Sequence, residues 1–239
     1  MSLFKRQDYI DQLSIDCVIF GYKEKELKVL VSKIAFGKNQ WTLPGGFIQK
    51  AEGIDDAAKR ILKERTKVTD IYLEQFHVFG QSTRSNNQLF EELKEQPDSI
   101  NESFNSEDLQ WLTQRFISIG FYALVDINKV EPQKGEFDEI VKWVDIKELP
   151  SLIMDHNDMV AIALEVLRQN LDRKLIGFNL LPETFTMKEI KELYEAVYDK
   201  PFARNNFQKK ILDLGVLERL EKKFTGAANK APFLYRFLR

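Results

Sequence analysis

Trp41-Thr42-Leu43-Pro44-Gly45-Gly46-Phe47-Ile48-Gln49-Lys50-Ala51-Glu52, followed after seven residues by Arg60-Ile61-Leu62-Lys63-Glu64-Arg65, is the most sharply patterned stretch of this 239-residue chain. It reads as a strand end, a glycine turn and then a helix. Ile54, Ala57, Ala58, Ile61 and Leu62 recur at the spacing of one helical stripe, so residues 54–66 are expected to lay an apolar face on a core. Short runs rich in Val, Ile and Phe lie on either side of this unit. Ile15 to Tyr22 and Leu27 to Ser32, separated by the charged turn Lys23–Glu26, read as a strand pair. Ile71–Phe79, Arg115–Asp126 and Val141–Val144 read as further strands, and Asp155–Asn170 as an amphipathic helix with Asp155 as its N-cap and His156 as a helix-start residue.

Length and composition fit two domains with proper cores: 44% of residues are hydrophobic and 12% aromatic. The net charge of −2 hides an asymmetry. Residues 172–239 carry 14 Lys and Arg against 9 Asp and Glu, whereas residues 1–171 carry 21 against 28. A basic end of this kind is a cue for nucleic acid. Between Arg84 and Gln110 stand seven acidic residues and two basic ones, Arg84 and Lys94, which reads as a solvated loop insertion with a helical turn at Leu89–Lys94. The one cysteine, Cys17, excludes an intrachain disulfide and lies in the apolar run Cys17-Val18-Ile19-Phe20, as a buried, inert thiol would. The charged start of the chain is no signal peptide and no stretch approaches a membrane span, so a soluble, cytoplasmic protein is expected.

Asp172-Arg173-Lys174 marks the expected boundary, after which the pattern changes. Thr186 and Glu189 form a capping box for a helix from Met187 to Tyr198 that buries Ile190, Leu193, Tyr194 and Val197. Asp199-Lys200-Pro201 breaks it. A second helix begins near Ala203 and ends at Gly215, with Phe207, Ile211 and Leu214 as its buried stripe. Its opposite side displays Arg204, Asn205, Gln208 and Lys209, with Asn206 and Lys210 beside them. Such side chains suit base edges and phosphates when presented from the first turns of a recognition helix. Val216–Phe224 and Pro232–Phe237 flank a small polar tip and read as a wing, to which Lys222, Lys223 and Lys230 bring charge for DNA phosphates. From Lys200 to Arg239 there are 10 basic and 3 acidic residues, the footprint of a DNA-binding winged helix. The alternative for this module is a protein-docking scaffold, with Lys222 and Lys223 as lysines that guard a strand edge.

The spacing from Gly46 to Glu52 to Arg60 resembles the Nudix box. The resemblance implies an α+β chain: a Nudix-type α/β/α sandwich with a mixed sheet over residues 1–171, bearing the acidic insertion 84–110, and a C-terminal winged helix-turn-helix domain over 172–239. Nudix hydrolases hold Mg²⁺ or Mn²⁺ through acids that fall here on Ile61, Glu64 and Arg65, so two of three are lost and one becomes positive. Lys67 replaces the glycine that ends the box. No catalytic residue, metal or cofactor is therefore expected. The residual acids are Glu52, which is expected to pair with Arg60, and Glu64. A pocket lined by Gly45, Gly46 and Arg115 is implied by the fold resemblance.

With Ile176–Pro182 at the junction, the whole resembles the Nudix-related transcriptional regulators, and the junction and the Arg204–Phe207 helix look similar to a sugar-responsive Bacteroidetes branch. Membership implies a homodimer on palindromic double-stranded operator DNA, released or retained as a sugar or ADP-ribose-like metabolite binds. The competing reading is an enzyme: a hydrolase of a nucleoside-diphosphate-linked substrate using Glu52, Glu64 and Asp56 with Mg²⁺.

Overall fold

A computed structural model describes residues 6–35, 39–69, 71–84, 106–135, 137–173, 180–223 and 231–238. Its centre is a mixed sheet built on one long strand, β1 (Tyr9–Lys23). One edge of β1 pairs antiparallel with β2 (Glu26–Ile34) through Phe20↔Val29 and with β4 (Gly45–Gln49) through Asp16↔Gly45. The other edge pairs in parallel with β6 (Ile117–Val125), from Leu13↔Ile117 to Gly21↔Val125. Beyond β6 lies the antiparallel strand β5 (Tyr72–Phe79), while β3 (Trp41–Thr42) and β7 (Asp138–Asp145) pair with β2. The turn between β1 and β2 places Glu24 and Lys25 at φ 54° and 67°, the pair of left-handed residues that a two-residue hairpin requires.

Alternation along β1 assigns its side chains to two faces. Ile15, Cys17 and Ile19 join Ile119 and Phe121 against helix α1 (Ile54–Thr66), whose Ala57, Ala58, Ile61 and Leu62 are buried there. Val18 and Phe20 join Val29, Val31 and Leu124 against helix α3 (His156–Arg173), through Met159, Val160, Ala163 and Leu167. Helix, sheet and helix thus form the three layers expected.

The helical turn expected at Leu89–Lys94 lies outside the described residues. Helix α2 (Ser106–Leu112) falls at the end of the insertion, with Trp111 fully buried against Phe47 and Phe116. Several local expectations are corrected. Arg84 and Asp108, counted above with a solvated loop, are both buried. Asp155 turns its carboxylate to Arg84, with both oxygens 3.0 Å from Nε. Leu214 is exposed, because α5 (Arg204–Asp213) ends before it could reach the core.

The C-terminal part runs β8 (Phe185–Thr186), α4 (Met187–Tyr198), α5, β9 (Leu217–Lys222) and β10 (Phe233–Phe237), with strand order β8-β10-β9. The capping box forms in both directions: Thr186 Oγ1 accepts from the Glu189 amide at 3.2 Å, and the Glu189 carboxylate accepts from the Thr186 amide at 2.6 Å. Gly215 takes φ +67° where α5 gives way to β9. Ile190, Leu193 and Val197 continue the same apolar cluster as Leu167 and Leu171 of α3. Two further bonds lock the helices together: Arg168 Nε donates to the Val197 carbonyl, and the Tyr198 hydroxyl to that of Arg168, each at 2.8 Å. Among the described residues no helix is long and apolar enough to cross a membrane.

Candidate functional site

The turn from β4 into α1 is held by ion pairs rather than by an open carboxylate cluster. Glu52 lies against Arg60, which donates from Nε at 2.9 Å and from Nη2 at 2.6 Å, and the same guanidinium donates to the Phe47 carbonyl at 2.9 Å. Glu52 also accepts from the Gln49 amide at 2.8 Å. The Arg60 bonds, reinforced by that amide, pull the Glu52 carboxyl below its ordinary pKa although partial burial opposes them. Glu64 is largely exposed and reaches Arg60 only at 3.4 Å. The expected Glu52–Arg60 pairing is therefore present.

Ile61, at another of the acid positions, is buried under the turn, and its side chain comes to 3.0 Å from where a Cβ on Gly46 would stand. Arg65 folds inward from the last turn of α1. Its Nη1 pairs with the Asp138 carboxylate of β7, and its Nη2 donates to the Gly45 carbonyl at 3.1 Å. Asp138 Oδ2 further accepts from the Gly135 amide at 2.7 Å and from Ser32 Oγ at 3.1 Å, and its side chain is only 4% exposed. A Cβ on Gly135 would fall inside the Arg65 guanidinium. Lys67 closes α1 at φ 59° as a left-handed cap, donating its amide to the Lys63 carbonyl, which explains why a glycine suits that position.

On the α3 face of the sheet, a buried polar cluster escaped the sequence reading. Arg84 reaches Asp155, the Phe116 carbonyl at 3.0 Å and Asp16 at 3.4 Å. Ser118 Oγ donates to Asp16 at 2.5 Å. His156 Nδ1 accepts from the Leu43 amide at 3.2 Å, which leaves the proton on Nε2, directed at Asp16 across 3.8 Å. Burial holds this imidazole below its ordinary pKa. The one signal in the sequence is Asp16 itself, a charge set among Ile15, Cys17 and Val18. Arg115, by contrast, is exposed and grips the carbonyls of Gly80 and Gln81 at 2.5 and 3.0 Å. Gly45 and Gly46 lie across β1 from it, since β4 and β6 pair with opposite edges of that strand.

In the second module, α5 leaves Arg204, Asn205, Asn206, Lys209 and Lys210 exposed and Gln208 half-buried, while Phe207 and Ile211 hold the helix on its core. Arg204 and Gln208, one turn apart, share a groove of about 600 Å³ with Lys188 of α4 and Phe233 of β10. Lys222 and Arg219 lie over the Phe233 ring at 5.4 and 4.5 Å. Lys223 is engaged by Glu189 at 3.2 Å. Lys230 lies outside the described residues.

The NUDIX domain family matches residues 11–165, which is well over half of the chain. The chain belongs to the Nudix family. Residues 177–237 match the NrtR DNA-binding winged helix domain. An ADPR responsive transcriptional repressor NtrR of Acinetobacter baylyi is 24% identical over 245 residues, covering 99% of this chain and 86% of that protein. The crystal structure of Shewanella oneidensis NrtR aligns with a TM-score of 0.71 at 24% identity, over 95% of this chain and 94% of that one. Its complex with a 27mer DNA gives the same TM-score and coverage at 22% identity. A MutT/nudix family protein of Enterococcus faecalis aligns at 0.68 and 18% identity, over 100% of this chain and 90% of that one. The chain is thus a Nudix and winged-helix protein related to NrtR.

The divalent cation that Nudix enzymes use does not fit the residues present. A hard cation needs several oxygen ligands that bear net negative charge. Here position 61 is apolar, position 65 is a cation already bound to the nearest carboxylate, and Glu52 is held by Arg60. Among the described residues no group of three or more His, Cys, Asp or Glu side chains is placed to hold a metal.

Proposed function

We propose that this chain is a ligand-responsive, DNA-binding transcription regulator. In this reading residues 1–171 form the sensing and dimerising domain and residues 172–239 the operator-binding domain of a cytoplasmic homodimer. The observation that carries it is the cationic and amide-bearing face of α5, with Arg204, Asn205 and Lys209 exposed and Gln208 half-buried in its first turns, as a recognition helix requires. The DNA in the Shewanella NrtR complex and the repressor role of the Acinetobacter protein support the same direction. The effector is a small metabolite of the sugar or ADP-ribose type.

Two winged helices held at fixed separation bind a two-part operator with the avidity of linked sites. A ligand releases or retains DNA only by binding one arrangement more tightly than the other, so ligand and operator must alter each other's affinity by one common factor. The Nudix part serves as a pocket and not as a catalyst, because Glu52 and Glu64 lack the acidic partners that would gather a metal.

The test is binding of the purified chain to labelled duplexes from upstream of its own and neighbouring genes, at two salt concentrations and against an unrelated duplex. Selective binding abolished by Arg204→Ala/Lys209→Ala is the expected result. Equal, weak binding to every genomic fragment would overturn the reading. Steady release of product from a nucleoside-diphosphate-linked substrate, lost in Glu64→Gln, would establish the hydrolase instead.

A further inference from the structure

We propose that Arg65 is a resident cation that replaces the divalent metal of the Nudix fold, so that this turn holds a guanidinium in place of a metal ion. Position 65 is where the family has a metal-binding glutamate, and the side chain found there reverses the charge. Its head lies between a backbone carbonyl, Gly45 O, and a carboxylate, Asp138. Those are hard oxygen donors of the kind that a divalent cation takes. The guanidinium satisfies them instead, with one positive charge in a planar fork of donors.

Three features show that this is a built arrangement rather than a surface pairing. The Asp138 side chain is almost wholly buried and takes two further hydrogen bonds, from Gly135 N and Ser32 Oγ. Gly135 leaves open the space in which the guanidinium lies, since any Cβ there would occupy it. Gly45 O is aimed at Arg65 by a strand register fixed through Asp16↔Gly45. A divalent ion entering here would have to expel a partly buried guanidinium from its buried carboxylate. Leaving the buried Asp138 carboxylate without its counter-charge is unfavourable. The inference concerns the Nudix domain alone and holds whether or not the second domain binds DNA.

It is tested on the full chain by the loss of the free Mn²⁺ signal in electron paramagnetic resonance and by thermal melts in EDTA and in Mn²⁺. Wild type is expected to melt at one temperature in both conditions. Arg65→Glu places a second carboxylate beside Asp138 and Gly45 O. It is expected to melt lower in EDTA, to regain stability in Mn²⁺, and to bind Mn²⁺ about tenfold or more tightly than wild type, as added ligand charge dictates. Mn²⁺ uptake by wild type that Asp138→Asn abolishes would overturn the proposal. A folded Arg65→Glu protein that melts identically with and without Mn²⁺ would do so too. If Arg65→Glu does not fold, Arg65→Gln carries the test: Asp138 is then left without its cation, and absence of any rise in melting temperature with Mn²⁺ would refute the assignment.

Discussion

Replacing Arg84 by methionine removes one buried guanidinium and leaves two carboxylates without a counter-charge. Arg84 is 3% exposed at its side chain, bonds both oxygens of Asp155 at 3.0 Å, donates to the Phe116 carbonyl, and lies 3.4 Å from Asp16. Methionine fills much of the volume, so the loss is chiefly electrostatic. Removing one partner of a buried pair costs about 3–5 kcal/mol. A chain of this length loses roughly 2–4 °C of melting temperature per kcal/mol, so a drop of about 10 °C is expected. Equilibrium urea unfolding, followed by tryptophan fluorescence, measures the difference directly, because fully buried Trp111 lies next to Phe116, the residue whose carbonyl Arg84 holds. Adding Asp16→Asn to Arg84→Met should recover part of the loss, since the amide carries no charge and its oxygen still accepts from Ser118. Arg84→Met within about 1 kcal/mol of wild type would refute the reasoning, because that is the scale of an exposed pair and not of a buried one.

Gly135→Ala should destabilise the chain by about 1–3 kcal/mol by driving a methyl group into Arg65, and Arg65→Ala in the same chain should remove most of that penalty in a thermal melt. Glu52 has a folded pKa held below its ordinary value by Arg60. Its contribution is therefore complete above the ordinary value of 4.5 and fades as pH falls through the lower folded value. Glu52→Gln should accordingly flatten the acid limb of the stability curve while lowering stability at neutral pH. Lys67→Gly should raise stability by about 0.5–1 kcal/mol, since glycine tolerates the left-handed cap at φ 59°; an unchanged urea midpoint would count against strain at this residue. Cys17 is fully buried, and burial pushes its thiol up to about 12, so a thiol reagent should label it only after unfolding. Rapid labelling of the native protein would contradict that burial.

What the sequence makes legible follows the range of the interactions. The 54–66 helix, the Thr186–Glu189 capping box and the Glu52–Arg60 pair are all set within about eight positions, and their spacing can be read directly. The Arg65–Asp138 pair joins residues 73 positions apart, and the Arg84–Asp155 pair residues 71 apart. Nothing local distinguishes such an aspartate from a solvated one. Asp155 shows the difficulty well: as an acid before a helix it satisfies the rule for an N-cap, yet a buried arginine from another loop takes its carboxylate. Leu214 fails for a different reason, because the helical period carries on in sequence after the helix has ended. Placing Arg115 with Gly45 and Gly46 rests on the fold resemblance, whereas the observed hydrogen bonds give that arginine a grip on the β5 end.

The apolar cluster that runs from the sheet through α3 into α4 bears on how such chains recombine in evolution. Modules joined by a loose tether can be exchanged between relatives with little regard for their neighbours. Here Leu167 and Leu171 share a packed interior with Ile190, Leu193 and Val197, and Arg168 grips the last turn of α4. A winged helix grafted from a distant relative would meet a seam shaped for different side chains, and packed interiors tolerate misfit poorly. Substitution is therefore cheap on the exposed face of α5 and costly at the level of the whole module.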